Sequence, residues 1–291
     1  MTANSSDAQS LRVRVVKPFL PTRRLRFFLT SQQPCAYLPD RAERKVFARL
    51  PMSEGAPIND ALTESGFRRS QGIAYRPACD TCAACLSVRA PVAAYAFSRS
   101  ERRTLDRNRD LVPHLVEAEA TREQFDLLSR YLKVRHAYGG MAEMSWLDYV
   151  AMVEETTVRT HILEYRSPSL EGGPGELLAA VLVDVLADGL SLVYSFYDPD
   201  LPRRSLGRFM ILDHIVQAQQ TGLPYVYLGY WVPGSAKMAY KAGLRPLEVL
   251  RFAGWTALTD EDRQAPAPPA MPRRDPAARL PVARSRRAFG S

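Results

Sequence analysis

The chain has 291 residues, 46% hydrophobic and 24% charged, a balance that suits a globular protein of one large or two modest domains. No apolar run approaches the roughly 18 residues of a spanning helix, the amino terminus lacks a secretory apolar stretch, and four cysteines are too few for a disulfide scaffold. A cytoplasmic protein with no membrane partner is expected, and its net charge of +8 says little about nucleic acid because residues 264–291 hold six Arg against one Asp.

Two patterned regions follow in chain order. In the first, residues 17–96, "RLRFFLT", "GFRRSQGIAYRP" and "SVRAPVAAYAF" read as strands, and "INDALTESG" as a short helix stopped at Gly66. The second, 97–258, opens with the Arg-rich helix "SRSERRTLDRNRD". Next comes "TREQFDLLSRYLKVRHA", whose Phe125, Leu128, Leu132 and His136 share a helical face. Three strand-like runs follow, "VRTHILEYR", "LLAAVLVDVL" and "LSLVYSFYDP", the first two joined by the surface loop "SPSLEGGPG". A helix from about Ser205 to Thr221, the strand "YVYLG", a helix near Ala236–Ala242 and the strand "LEVLRF" complete the region. Residues 259–291, rich in Pro, Ala and Arg, read as a disordered tail. The class is α/β (α+β), and three antiparallel strands followed by α, β, α, β is the order of a GNAT-type acyltransferase, here behind a smaller cysteine-bearing domain.

Cys79-x-x-Cys82-x-x-Cys85 gathers three soft ligands, and Cys35 in "QQPCAYLPD" supplies a fourth. Such thiolates take zinc or an iron–sulfur cluster; the alternative is that they are small buried hydrophobes. Arg99, Arg102, Arg103 and Arg107 line one helical face, which suits phosphate oxygens or, more blandly, local ion pairs. Arg203, Arg204, Ser205 and Gly207 stand at a helix start, where N–H groups favour an anion. GNAT enzymes hold coenzyme A at that turn with Arg/Gln-x-x-Gly-x-Gly/Ala. Here Arg204 and Gly207 match, but Phe209 fills the last position and is expected to obstruct the pyrophosphate.

"YLGYWVPGSAKMAYKAGLRP" clusters Tyr227, Tyr230, Trp231, Lys237, Tyr240 and Lys241 at a strand-to-helix joint. Rings with interleaved cations stack bases and pair with carboxylates; a Tyr-rich core with Lys at its rim is the alternative. Arg135 and His136 precede Gly139 and Gly140, where a helix would end beside an open site, although a satisfied core histidine is the default.

The blocks "PCAYLPDR", "GFRRSQGIAYRPACDTCAACLSVR", "FSRSERRTLDRNRDL", "YLKVRHAYGGM", "YSFYDPDLPRRSLGRFMILDHI" and "YLGYWVPGSAKMAYKAGLRP" occur in one order over about Pro18 to Leu258. In this the chain resembles the aminoacyl-tRNA–protein transferases, and most narrowly their bacterial leucyltransferase branch, related to the eukaryotic arginyltransferases. The resemblance implies transfer of leucine from leucyl-tRNA to the α-amine of proteins beginning with Asp or Glu, a mark for N-degron degradation. It also implies a cysteine-bearing domain ahead of a GNAT-like catalytic domain, with Cys35, Cys79, Cys82 and Cys85 where eukaryotic relatives have been linked to an iron–sulfur cluster.

An aminoacyl ester is already activated, so no cofactor is required for the chemistry, in keeping with the lack of a nucleophile–base motif. Tyr230, Lys237 and Tyr240 are the catalytic candidates. Arg76, Arg135, Lys237 and Lys241 are candidates for reading the acidic residue, with His136 beside them. Arg102, Arg103, Arg107, Arg204 and the Tyr230/Trp231 pair are candidates for the tRNA end. An arginyl donor, a metal-dependent tRNA-binding module without catalysis, and an acetyl-CoA enzyme are the rival readings.

Overall fold

The computed structural model describes residues 25–135, 141, 143–169 and 173–269. The first part of the chain builds a small antiparallel sheet. It contains β1 (Phe27–Leu29), then a ribbon of β2 (Gln33–Pro34) and β3 (Ala42–Glu43), then β4 (Lys45–Arg49), α1 (Gly55–Glu64), β5 (Arg68–Ser70) and β6 (Ile73–Pro77). The sheet order is β1-β4-β6-β5. Ile58 and Leu62 of α1 pack with Leu50, Phe67 and Ala74 to form its core. "GFRRSQGIAYRP", which reads as one strand in the sequence, is the β5–β6 hairpin. It reverses at Gln71–Gly72, with Gln71 left-handed at φ 52.

The rest forms an eight-stranded sheet. Its elements are β7 (Leu86–Pro91), α2 (Arg99–Arg107), β8 (Val112–Glu117), α3 (Arg122–Arg135), α4 (Trp146–Glu154), β9 (Thr160–Arg166), β10 (Leu177–Val185), β11 (Gly189–Tyr197), α5 (Leu206–Thr221), β12 (Tyr225–Trp231), β13 (Glu248–Arg251), β14 (Gly254–Ala257) and α6 (Asp260–Gln264). The order is β14-β13-β7-β12-β11-β10-β9-β8, so β7, from the first patterned region, lies inside the large sheet. β10 is apolar almost throughout because both its faces are covered. Ala179, Val181 and Val183 join Met210 and Ile215 of α5, while Ala180 and Leu182 join Leu128 and Leu132 of α3 and Tyr149 of α4.

α4 was not anticipated, although Ser145 and Asp148 form the capping box that starts it. The helix expected near Ala236–Ala242 is a 3₁₀ helix over Ala236–Gly243. Residues 260–264, read as tail, form α6, because Thr259 caps it and Arg251 and Arg245 bind its acidic first turn. Among the described residues no helix is long and apolar enough to cross a membrane.

The two sheets are joined by a buried ion pair. Arg69 of β5 holds Asp184 of β10 through Nε–Oδ2 at 2.6 Å and Nη2–Oδ1 at 2.7 Å, and Thr160 donates its hydroxyl to the same carboxylate at 2.8 Å. Both charged side chains are only 1% exposed.

Candidate functional site

β11 and β12 run parallel but pair only at Gly189–Tyr225, Leu190–Val226 and Ser191–Tyr227. Beyond those positions the strands part, and the sheet opens into a fork. Each arm carries an irregularity that helps it diverge. Val193 is the extra residue of β11 against β10, and the register of β12 against β7 shifts at Gly229.

Arg68 of β5 enters this fork. Its Nη2 donates to the carbonyls of Leu192 at 2.6 Å and Val193 at 3.1 Å, which have no partner strand there. Gly229 is required for two reasons. Its φ of +76 is left-handed, and a Cβ there would lie 1.2 Å from Arg68 Nη1. On the other arm Lys241 is buried, and its Nζ donates to the carbonyls of Leu228 and Tyr230, each at 2.7 Å. Burial, and then the charge of Arg68, pull its pKa well below the ordinary lysine range. Lys241 is therefore placed as a clamp on β12, not as a surface cation for an acidic substrate.

Tyrosines crowd the mouth of the fork. Tyr131 and Tyr197 pack with ring centres 4.9 Å apart, and Arg135 donates to the Tyr197 hydroxyl at 3.0 Å. Tyr240 is half exposed and close enough to feel the charge of Arg68 and the Tyr197 hydroxyl. Burial pushes Tyr194 up to about 12, so its hydroxyl keeps its proton at neutral pH. The Tyr197 ring also sits against the start of α5, where a Cβ on Gly207 would approach it to 3.0 Å. Phe209 does not guard that turn as expected. It is buried in the core, edge-on to Tyr165 at 5.1 Å, because its helical position points it toward the sheet. His136 lies outside the described residues.

Behind the fork, on the side of the small sheet, is an open cavity of about 540 Å³. All four cysteines line it, with Tyr37, Arg41, Lys45, Arg76 and Tyr230. Tyr230 is buried and shares its hydroxyl between the carbonyls of Gly66 and Tyr75, both at 3.1 Å. Arg44 pairs with Asp80, Lys45 with Glu43 and Arg251 with Asp262. Arg76 is different. It is exposed, its guanidinium lies 5.1 Å from the Phe67 ring centre, and no carboxylate pairs with it among the described residues. Lys237, also exposed, reaches the carbonyl of Ala36 on the cavity wall at 3.2 Å.

The thiols show what a shared cavity does to acidity. Burial, and then Cys35, Cys79 and Cys82 nearby, push Cys85 up to about 12. Cys79 donates to the carbonyl of Arg44 at 3.7 Å, and Arg41 Nη1 lies 3.1 Å from the Cys82 sulfur. The donor type suits zinc or an iron–sulfur cluster, yet among the described residues no three His, Cys, Asp or Glu side chains converge to hold a metal. As placed, the cysteines do not form a closed site.

The arginines of α2 lie apart from the fork. Arg99, Arg102, Arg103 and Arg107 are exposed, with Arg102 donating to the Phe97 carbonyl and Arg107 to that of Arg203 at 2.6 Å. Arg204 is tied to Asn108 Oδ1 at 3.0 Å and to Asp110, whose carboxyl it holds below the usual range. That leaves it little to offer a phosphate. Trp231 is 2% exposed and belongs to the core, so it cannot stack on a base as expected. Tyr230, Arg76 and Lys237 thus gather around the cavity, and Tyr240 and Arg135 around the fork. Arg68 joins the two and was missed, although a doubled Arg in a short strand places one charge on each face and so signals a buried partner.

Antiparallel strands followed by a parallel crossover and a fork give the strand order expected for a GNAT-type fold. The family models described as "Arginine-tRNA-protein transferase, N terminus" and "C terminus" match residues 33–103 and 123–251. A relative from Caulobacter vibrioides (strain NA1000 / CB15N) named "Aspartate/glutamate leucyltransferase" is 70% identical over 248 residues, covering 85% of this chain and 89% of its own. One of the same name from Phenylobacterium zucineum is 69% identical over 242 residues, covering 83% and 94%. Among solved structures, L-PGS from Bacillus licheniformis aligns over 51% of this chain and 47% of its own, with 14% identity and a TM-score of 0.39. The chain belongs to the aminoacyl-tRNA–protein transferase family, in the bacterial leucyltransferase branch that these relatives represent.

Proposed function

We propose that this protein transfers leucine from leucyl-tRNA to the α-amine of proteins beginning with Asp or Glu, and so marks them for N-degron degradation. The observation that carries this is the 70% identity to a relative named for that activity, over nearly the whole of both chains. Such substrates imply a cytoplasmic location.

The free α-amine has an ordinary pKa of about 7.7–8.0, so a useful fraction is neutral at cytoplasmic pH. Its attack on the ester carbonyl needs alignment more than acid–base help, and alignment can contribute roughly 7–11 kcal/mol. Arg76 suits the acidic side chain of the acceptor, since it faces the cavity with no carboxylate of its own among the described residues. Lys237 supports it from the Ala36 wall. Arg102, Arg103 and Arg107 suit the tRNA backbone because they are exposed on one helix. Arg68 and Arg135 at the fork disfavour the cationic side chain of an arginyl donor and are compatible with leucine.

Zinc or an iron–sulfur cluster at Cys35, Cys79, Cys82 and Cys85 would require the thiols to draw together, and no step of the transfer is routed through it. The activity is tested with purified protein, an Asp-initiated reporter, and leucyl- and arginyl-tRNA in turn. Leucine should appear on the reporter's amino terminus. Transfer from arginyl-tRNA alone, or from neither, overturns the reading.

A further inference from the structure

We propose that Arg68 is a catalytic residue whose guanidinium stabilises the oxyanion formed when the acceptor amine attacks the leucyl ester at the β11–β12 fork. The inference rests on the aminoacyl-transfer reading above and assigns a role that none of the sequence candidates filled.

Three features of the fork lead to it. First, Arg68 reaches into the catalytic sheet from another sheet, and its guanidinium occupies the space that a Cβ on Gly229 would need. Second, only Nη2 is committed, to the Leu192 and Val193 carbonyls; Nη1 and Nε have no hydrogen-bond partner among the described residues. Third, neither Arg68 nor Lys241 is paired with a carboxylate among the described residues, so the half-buried fork holds positive charge with no counter-ion. A desolvated cation without a partner is costly unless an anion arrives during function. Lys241 is driven toward its neutral form, whereas a guanidinium keeps its charge in proteins.

The acceptor amine nitrogen bonds to the ester carbonyl carbon, and the C=O electron pair moves onto oxygen, where one uncommitted N–H of Arg68 offers a hydrogen bond. Collapse of this intermediate restores the C=O bond and breaks the bond to the ribose oxygen of the tRNA end. The amide remains, and the proton lost by the ammonium ends on the departing oxygen. The charge of Arg68 is useful only while the oxygen is anionic, so its removal should act on rate and not on binding.

The test is single-turnover transfer from leucyl-tRNA to an Asp-initiated peptide by the wild type, Arg68→Gln and Arg68→Lys, with thermal melting of each. Arg68→Gln should lose about 10²–10³ in rate at saturating substrates, while the peptide KM and tRNA Kd stay close to wild type. Arg68→Lys should fall between, because a cation is kept but the fork of donors is lost. Guanidinium in the buffer should restore part of the Arg68→Gln rate. Arg68→Lys keeps a charge in the fork and supplies the readout if Arg68→Gln does not fold; a wild-type rate in Arg68→Lys overturns the proposal. So does a loss confined to the peptide KM, or equal rates for the two variants that merely follow their melting temperatures. An inactive wild type sinks the transfer reading and this one together, whereas unaltered variants beside an active wild type sink this one alone.

Discussion

Two groups of arginines use the same side chain in opposite ways. Arg68 and Arg69 of β5 are drawn into the large sheet, one to the carbonyls of the fork and one to Asp184. The arginines of α2 stay in solvent and touch mainly backbone carbonyls of their own surroundings. Charge alone does not separate the groups, and the exposed row is the more conspicuous in the sequence. Burial separates them. A buried guanidinium is fixed in place and weakly screened, whereas an exposed one binds diffusely and in a salt-dependent way.

The largest expected effect comes from Arg69. Arg69→Ala leaves the Asp184 carboxylate buried without its partner, which should cost about 3–5 kcal/mol and lower Tm by about 10 °C. Denaturant titration checks this, and a loss like that of a surface arginine would erase the distinction. On the exposed side, Arg102→Ala with Arg103→Ala should leave Tm unchanged. The double variant should weaken tRNA binding and reduce the salt slope by about 2, read from binding over a range of salt concentrations.

The smallest effect belongs to Asp60, which accepts from the Ala187 N–H at 3.3 Å near the join between the sheets. Burial raises its pKa from 3.8 to about 6. Between those values the native state holds a proton that the unfolded chain has released, so stability falls as pH rises through that window and stays lower above it. Asp60→Asn should remove this dependence and raise Tm at pH 7 by about 1–3 °C, with little change at pH 4. An identical pH profile in both proteins would place the strain elsewhere.

The β9 to β12 order was legible because β10 and β11 are long apolar runs flanked by turn residues, and α5 begins and ends at clear boundaries. The fork was not legible. It depends on two register shifts and on a side chain delivered by a hairpin more than a hundred residues earlier, and neither leaves a local pattern. Lys241 and Trp231 were misplaced for a related reason. In a strand-to-helix joint with polar and aromatic residues alternating, sequence shows which types are present but not which ones face inward. Phe209 was read by analogy with a turn, whereas its helical position commits it to the core.

The most direct measurement sets Arg68→Gln beside the Arg102→Ala/Arg103→Ala double variant in single-turnover leucine transfer at saturating leucyl-tRNA. The fork variant should lose about 10²–10³ in rate while holding tRNA normally, and the α2 variant should keep its rate once tRNA saturates. Equal losses of rate in both, or none in Arg68→Gln, would contradict the account.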